Sequence, residues 1–286
     1  MQGIKQLRHR IKSIKSTKQL TNAMDMVSAA KLRQTERIMN AGRPYLYKME
    51  NIIQKIMAQN AICEHFQSKI IPSGKILFVI LSSDKGLCGQ FNIHLLDFAK
   101  KTMHGFLNKE IHLYPVGKKT LSFSKKVPEY PVYKSLIDLN GRITLATVHT
   151  FTNDLLNAYN IFDEIHLISY EYVSRSKYIP RIVQFLPLPS LQPSTQDGKI
   201  YDDYIFEPNK EKILDTLLPQ YFNSKIYMLF LEQFTCLHSA RMLSMHAATK
   251  NCTELISKLT LIANKARQAS ITKELLEIVA GAEAIH

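Results

Sequence analysis

The sequence predicts an α/β protein in which a central layer domain with a partly parallel sheet sits between two long terminal helices that wind on each other as an antiparallel coiled coil. Three observations carry this. The last stretch, Ala240–His286, contains no proline and a single glycine, Gly281. Within it Leu255, Leu259, Ile262, Ala266 and Ala269 recur at alternating spacings of four and three. That is a heptad seam, the pattern of a helix lying on a partner helix. The first fifty-odd residues show a similar narrow stripe, and between the two the pattern changes to short branched runs alternating with helical segments.

Residues 3–59 read as one helix, long enough to reach roughly 85 Å at the α-helical rise. Ile4, Leu7, Ile11 and Ile14 begin its seam, which then slips phase and continues through Leu20, Met24 and Val27. Such a slip predicts a stutter in the supercoil. Gly42-Arg43-Pro44 predicts a kink or short break, because proline lacks the backbone donor and crowds the preceding turn. The stripe returns in Tyr45, Met49, Ile52, Ile53 and Ile56.

After Pro72-Ser73-Gly74 the run from Lys75 to Ser82 is almost continuously apolar, as a strand buried on both faces requires. A glycine-containing turn, Ser83–Gly89, leads into a helix from Asn92 to Leu107, and Ile111–Val116 reads as a second strand. Gly117 opens a short helix that stops before Pro128, Thr144–Asn160 is a helix, and Glu164–Ser174 and Arg181–Leu186 form a strand hairpin. Pro187–Asp203 has a loop composition. Phe206–Asn209 offers a helix start, Pro219 predicts a bend or restart, and the helical pattern then runs from Asn223 to the end over roughly 95 Å. The order is that of a Rossmann-like layer inserted between helices, with boundaries at 1–59, 75–205 and 208–286.

At 286 residues, 45% hydrophobic and 21% charged, the chain is able to bury a substantial core. No apolar run reaches the roughly 18 residues a membrane span needs. The start is basic and amphipathic without the apolar block of a secretory signal, and it reads as mature structure without a presequence. Cys63, Cys88, Cys236 and Cys252 are scattered without metal-ligand spacing, which predicts free thiols. The net charge is +13, and residues 1–18 carry Lys5, Arg8, Arg10, Lys12, Lys15 and Lys18 with no acid. No zinc pattern, stacking motif or helix-turn-helix accompanies that charge, so a solvated face or an acidic protein partner is preferred over nucleic acid.

Chemistry is sparse. Gly86 and Gly89 precede a helix, but neither the Walker pattern nor the full dinucleotide fingerprint follows. The preferred reading is a tight turn that needs both glycines for its backbone. His238 and His246, eight apart on the last helix, read as surface or seam-flanking residues. Asp202-Asp203 stands in a loop without partners. No nucleophile–base or metal constellation is visible, which predicts a chain without catalytic activity of its own and without a cofactor.

Three blocks carry a resemblance that extends nearly end to end. The first is Ile4-x-x-Leu-Arg-x-Arg-Ile-x-Ser-Ile with Thr17-x-x-Leu-Thr-x-Ala-Met-x-Met-Val-Ser-Ala-Ala-Lys and then Arg43-Pro-Tyr45. The second is Ser82-Ser-Asp-Lys-Gly-Leu-Cys-Gly89 with Asn92. The third starts at Ala240-Arg-Met and runs to Asn264-Lys-Ala-Arg-Gln-Ala-Ser-Ile-Thr-x-Glu-Leu-x-Glu-Ile-Val279. On these blocks the chain resembles the gamma subunits of F-type ATP synthases.

The resemblance implies a central-stalk rotor. The terminal helices would turn inside a hexamer of alpha and beta subunits, and the globular domain would meet the epsilon subunit and the c-ring, with the delta subunit reached only indirectly. Proton flow through the ring would drive the nucleotide cycle of the beta subunits. It implies beta-subunit contacts at Arg267, Gln268, Thr272 and Glu274 near the tip and at Met24 lower down. It also implies a place at the cytoplasmic face of a bacterial plasma membrane, reached only through the complex. Gln90 and Phe91 depart from the usual Gly-Leu, and Asn251-Cys252 varies a loosely kept position. These departures leave open a gamma subunit of a second, divergent synthase. Two other classes were weighed: a basic coiled-coil nucleic-acid binder, whose binding would fall steeply with salt, and a nucleotide-binding enzyme working through the Gly86 turn.

Overall fold

The computed structural model describes residues 2–58, 73–106, 108–188, 207 and 209–283. Nine elements follow in the order α1 (Gln2–Ala58), β1 (Lys75–Leu81), α2 (Phe91–His104), β2 (Glu110–Val116), α3 (Lys118–Ser124), α4 (Leu145–Ala158), β3 (Glu164–Ser174), β4 (Lys177–Leu186) and α5 (Lys210–Glu283). The chain forms two compact units, one of Met1–Ala29 with Arg241–His286 and one of Ala30–Ala240. The predicted loop over 187–203, with Asp202-Asp203, and Cys63 fall almost wholly outside the described residues.

In the larger unit the four strands lie in the order β2-β1-β3-β4. β1 is parallel to both β2 and β3, and β4 closes the sheet antiparallel to β3. The predicted mixed sheet and hairpin are therefore present. β1 is central and its side chains from Ile76 to Leu81 are fully buried, which is why its sequence reads as an unbroken apolar run. α4 begins where Thr144 caps it by accepting the Thr147 N–H at 3.2 Å.

α5 crosses this unit as a helix buried all round: every residue from Leu229 to Ala240 is buried. Its composition there, Leu-Phe-Leu-Glu-Gln-Phe-Thr-Cys-Leu-His-Ser-Ala, suits a helix enclosed on all sides. His238 belongs to this stretch, 1% exposed with its Nε2 3.3 Å from the Gly141 carbonyl, so it is neither a surface residue nor one flanking a seam. α1 pairs with α5 antiparallel within the same unit: Tyr221 donates to Glu50 at 2.9 Å, and Arg43 to Glu232 at 3.2 Å.

Neither proline breaks its helix. Pro44 lies inside α1 and Pro219 inside α5, both continuous. The cost of an interior proline, about 3 kcal/mol, is outweighed by the burial on either side. Met39, Met49 and Ile53 are buried around Pro44, and Leu214, Leu218, Tyr221 and Phe222 around Pro219. Each such side chain contributes roughly 1.5–3 kcal/mol. α5 begins at Lys210, directly after the start expected over Phe206–Asn209, with the Asn209 side chain accepting the Lys212 N–H at 2.9 Å.

In the smaller unit the start of α1 and the end of α5 also run antiparallel. Thr249 donates to Thr21 at 2.8 Å and His246 Nδ1 lies 3.2 Å from Asp25. The sheltered positions on α1 are Leu7, Ile11, Ile14, Lys18, Thr21, Asp25 and Ser28, an unbroken four-three repeat. Of the predicted continuation Met24 is half-buried, but Leu20 and Val27 are 61% and 56% exposed and stand outside this repeat, which runs on without a phase slip. On α5 the sheltered positions are Cys252, Ile256, Leu259, Ala263, Ala266 and Ser270. Leu259 and Ala266 are as expected, whereas Leu255, Ile262 and Ala269 face outward. The seam mixes Leu7, Ile11, Ile14, Ile256 and Leu259 with small and polar residues, and further bulky apolar residues, Leu20, Val27, Leu255 and Ile262, stand outside it.

Candidate interaction surface

The site residues expected from sequence lie on the smaller unit. Arg267, Gln268, Thr272 and Glu274 are all exposed on α5. They share a helical span of about 10 Å. Two internal bonds hold their rotamers: Thr272 donates to the Gln268 carbonyl at 3.0 Å, and Ser270 to Glu274 at 3.2 Å. Every residue from Ile271 to Ala280 is exposed, among them Leu275, Leu276, Ile278 and Val279, each more than half exposed. The fold brings the four tip residues together but leaves Met24 apart. Met24 is half-buried on α1 near the Thr21–Thr249 contact, some eighteen residues of α5 from Arg267, or roughly 27 Å along the helix.

These surfaces have a common chemistry. Polar, breakable contacts stand next to apolar side chains that this chain leaves uncovered. On α1 the outward face carries Leu20, Met26 and Val27, and on α5 it carries Leu255, Leu261 and Ile262. Between them Lys5, Arg8, Arg10, Lys12 and Lys15 keep their charges in solvent. Covering one such leucine or valine by another protein is worth roughly 1.5–3 kcal/mol. Faces of this kind fit contact with other chains better than solvation alone.

The turn after β1, by contrast, is closed on itself. Asn92 at the start of α2 reaches back to Ser83, accepting its N–H and its hydroxyl at 3.1 Å, and sets its amide 3.2 Å from Cys88 Sγ. Asp84 gathers the backbone N–H groups of Lys118, Asp138 and Asn140 at 3.2, 3.0 and 2.8 Å. Gly89 adopts φ +58° and Leu87 φ +61°. Gly86 has neither a positive φ nor any atom within 4 Å of where a Cβ would stand, so only one of the two glycines is required by the backbone. The departure at Phe91 is absorbed by the core: its ring stacks on Tyr170 at 4.5 Å and its carbonyl accepts the Tyr170 hydroxyl at 2.7 Å.

In open α/β sheets a ligand enters at the carboxyl ends of the strands where the order reverses, here between β1 and β3. That position is filled from within. Gln233 on α5, 1% exposed, donates to the Leu81 carbonyl and accepts the Tyr170 N–H at 2.8 Å. Beside it Glu232, 8% exposed, accepts from Arg43, from Arg181 at 2.6 Å and from the Tyr172 N–H at 3.2 Å. Sequence reading passed over this pair. The available signal was two polar residues in the middle of a helix stretch too apolar to face water. Among the described residues no group of three or more His, Cys, Asp or Glu is arranged to hold a metal, and Cys88, Cys236 and Cys252 form no disulfide. Burial pushes the Cys236 thiol well above its ordinary pKa. No described helix is long and apolar enough to cross a membrane.

Fold and surface together define a protein of assembly: an α/β layer whose ligand crevice is occupied by its own helix, attached to an antiparallel helix pair with uncovered outer faces. The family model described as ATP synthase matches residues 3–285. The ATP synthase gamma chain of Pelotomaculum thermopropionicum is 34% identical over 288 residues and that of Flavobacterium johnsoniae 36% identical over 297, each alignment covering all of both chains. Among solved structures, a chain of the Euglena gracilis mitochondrial ATP synthase superposes with a TM-score of 0.69 at 18% identity, covering 99% of this chain and 95% of that one. A chain of the Tetrahymena thermophila mitochondrial ATP synthase central stalk and c-ring gives 0.60 at 21% identity, with coverages of 80% and 99%. The chain belongs to the ATP synthase family, as one of its gamma chains.

Proposed function

We propose that this chain is the rotor shaft of its synthase. Its helix pair turns within a sleeve of alpha and beta subunits, and its α/β layer joins the pair to the epsilon subunit and the ion-driven c-ring. It has no catalysis of its own and no cofactor: it supplies an asymmetric surface that moves each beta subunit through its nucleotide states. It meets the membrane only through the complex, at the cytoplasmic face of a bacterial plasma membrane, and binds no nucleic acid. Arg267, Gln268, Thr272 and Glu274 meet the beta subunits near the tip, and Met24 meets them lower down. The chain follows the boundaries 1–59, 75–205 and 208–286, the two end segments being shaft and the middle one the coupling domain.

The observation that supports this best is the composition of the helix pair in the smaller unit. Its seam mixes Leu7, Ile11, Ile14, Ile256 and Leu259 with small and polar residues, while Leu20, Val27, Leu255 and Ile262 face outward. A rod that serves only to hold itself together would turn these four inward as well. The occupied crevice at Gln233 supports a layer that carries force and binds no nucleotide.

The test is reconstitution. The chain is co-expressed with the alpha and beta subunits of its own organism, the complex is sized by native mass spectrometry, and Mg-ATPase activity is assayed with and without the chain. One copy per three alpha and three beta, with activity that depends on it, is expected. ATP binding or hydrolysis by the isolated chain, or a hexamer that turns over equally well without it, would reject the reading.

A further inference from the structure

The hairpin of β3 and β4 reaches the two long helices through a small set of directional contacts, all inside the larger unit. Tyr172 touches both helices: its hydroxyl donates to Glu36 of α1 at 3.1 Å, and its N–H to Glu232 of α5 at 3.2 Å. At the hairpin turn Arg175 places two guanidinium nitrogens on the other oxygen of Glu36, at 2.9 and 3.3 Å, and its carbonyl accepts the Ser239 hydroxyl of α5. On the return strand Arg181 donates to Glu232 at 2.6 Å. Arg43 of α1 shares that same carboxylate, which ties the helices to each other at the point where the hairpin holds them. The carboxylates are sheltered, with side-chain exposures of 21% for Glu36 and 11% for Glu232.

We propose that the β3–β4 hairpin is a torque clasp, with Glu36 and Glu232 as the positioning residues that lock the sheet to the rotation of α1 and α5. This rests on the rotor reading. Torque between sheet and helices acts sideways along their interface. Apolar packing resists separation but is non-directional, so by itself it fixes no single angle between sheet and helix. Charge-assisted hydrogen bonds fix both distance and angle. The hairpin sets such bonds on both helices at once, so turning either helix against the sheet breaks them.

The experiment uses the complete synthase containing Glu36→Arg, held by its hexamer, with a bead on the c-ring. Angular fluctuations of the bead give the torsional stiffness of the rotor. Stiffness is expected to fall by about two-fold, since all three hydrogen bonds to Glu36, on one of the two clasped helices, are lost. Adding Arg175→Glu, which restores the pair with reversed charges, is expected to recover it. A purely structural loss would lower thermal stability without following that recovery in stiffness. Unchanged stiffness in an intact, rotating Glu36→Arg complex overturns the clasp. If Glu36→Arg does not assemble, Tyr172→Phe is read in the same way: softer supports the clasp, unchanged overturns it. Failure of the rotor reading is distinguishable, because wild-type chain would then give no chain-dependent ATPase and no rotation.

Discussion

Gln233 accepts the Tyr170 N–H at 2.8 Å, and its amide donates to the carbonyl of Leu81. One side chain of α5 thus satisfies backbone groups on two parallel strands at the point where their order reverses. Replacing Gln233 by Leu leaves a buried N–H and a buried C=O without partners. Each such orphan costs about 1–3 kcal/mol, so a loss of about 2–6 kcal/mol is expected. Urea unfolding of the full chain, followed by tyrosine fluorescence, measures it. A loss below about 1 kcal/mol would mean that the pair is not a structural joint.

The glycines after β1 and β2 separate cleanly. Gly117 sits at φ +90°, and a Cβ there would lie 2.8 Å from the Ser82 carbonyl oxygen. Gly117→Ala is expected to destabilise by about 2–4 kcal/mol, through strain and a backbone clash. Gly86→Ala meets nothing within 4 Å, and its effect should stay within about 0.5 kcal/mol. Thermal melts of the two variants side by side decide the matter, and equal shifts would contradict it.

At the tip, Arg267→Ala with Gln268→Ala removes exposed groups that make no essential contact within the chain. The α/β layer should keep its circular dichroism and melting temperature. Turnover of the assembled complex should fall several-fold, as for loss of about 1–2 kcal/mol of contact. Wild-type turnover and pumping would remove these two residues from the beta-subunit surface.

An acid-sensitive pair lies at the start of β3. Burial alone would raise the Glu164 carboxyl, but hydrogen bonds from Lys109 at 2.6 Å and His166 at 2.8 Å outweigh it and hold the pKa below the ordinary 4.5. A depressed folded value contributes stability above the unfolded value and loses it as pH falls through the folded one. Wild type should therefore exceed Glu164→Gln in urea midpoint at neutral pH, with the gap closing below pH 4.5. A gap that stays constant down to pH 3 would contradict this linkage.

Much of the architecture was legible because its causes are local. The branched run of β1, the Thr144 cap of α4 and the alternation of β3 each declare themselves within a few residues. The seam was misread for a reason of chemistry. Leu20, Val27, Leu255 and Ile262 carry the strongest apolar signal, yet Lys18, Thr21, Asp25 and Ala263 take the sheltered positions. Hydrophobicity marks which residues leave water, not whether they meet their own chain or another. A kink or short break was expected at Pro44 and a bend or restart at Pro219; packing on both sides keeps both helices unbroken. Gln233 was missed because its partners are backbone groups 63 and 152 residues away.

The outward stripe has a consequence for supply. A copy made in excess of its sleeve would carry Leu20, Met26, Val27, Leu255, Leu261 and Ile262 into solvent with nothing to cover them. Such a surplus copy is a ready substrate for proteolysis or aggregation. On the rotor reading, cells that keep this chain are therefore pressed to match its synthesis to that of the subunits that would cover it.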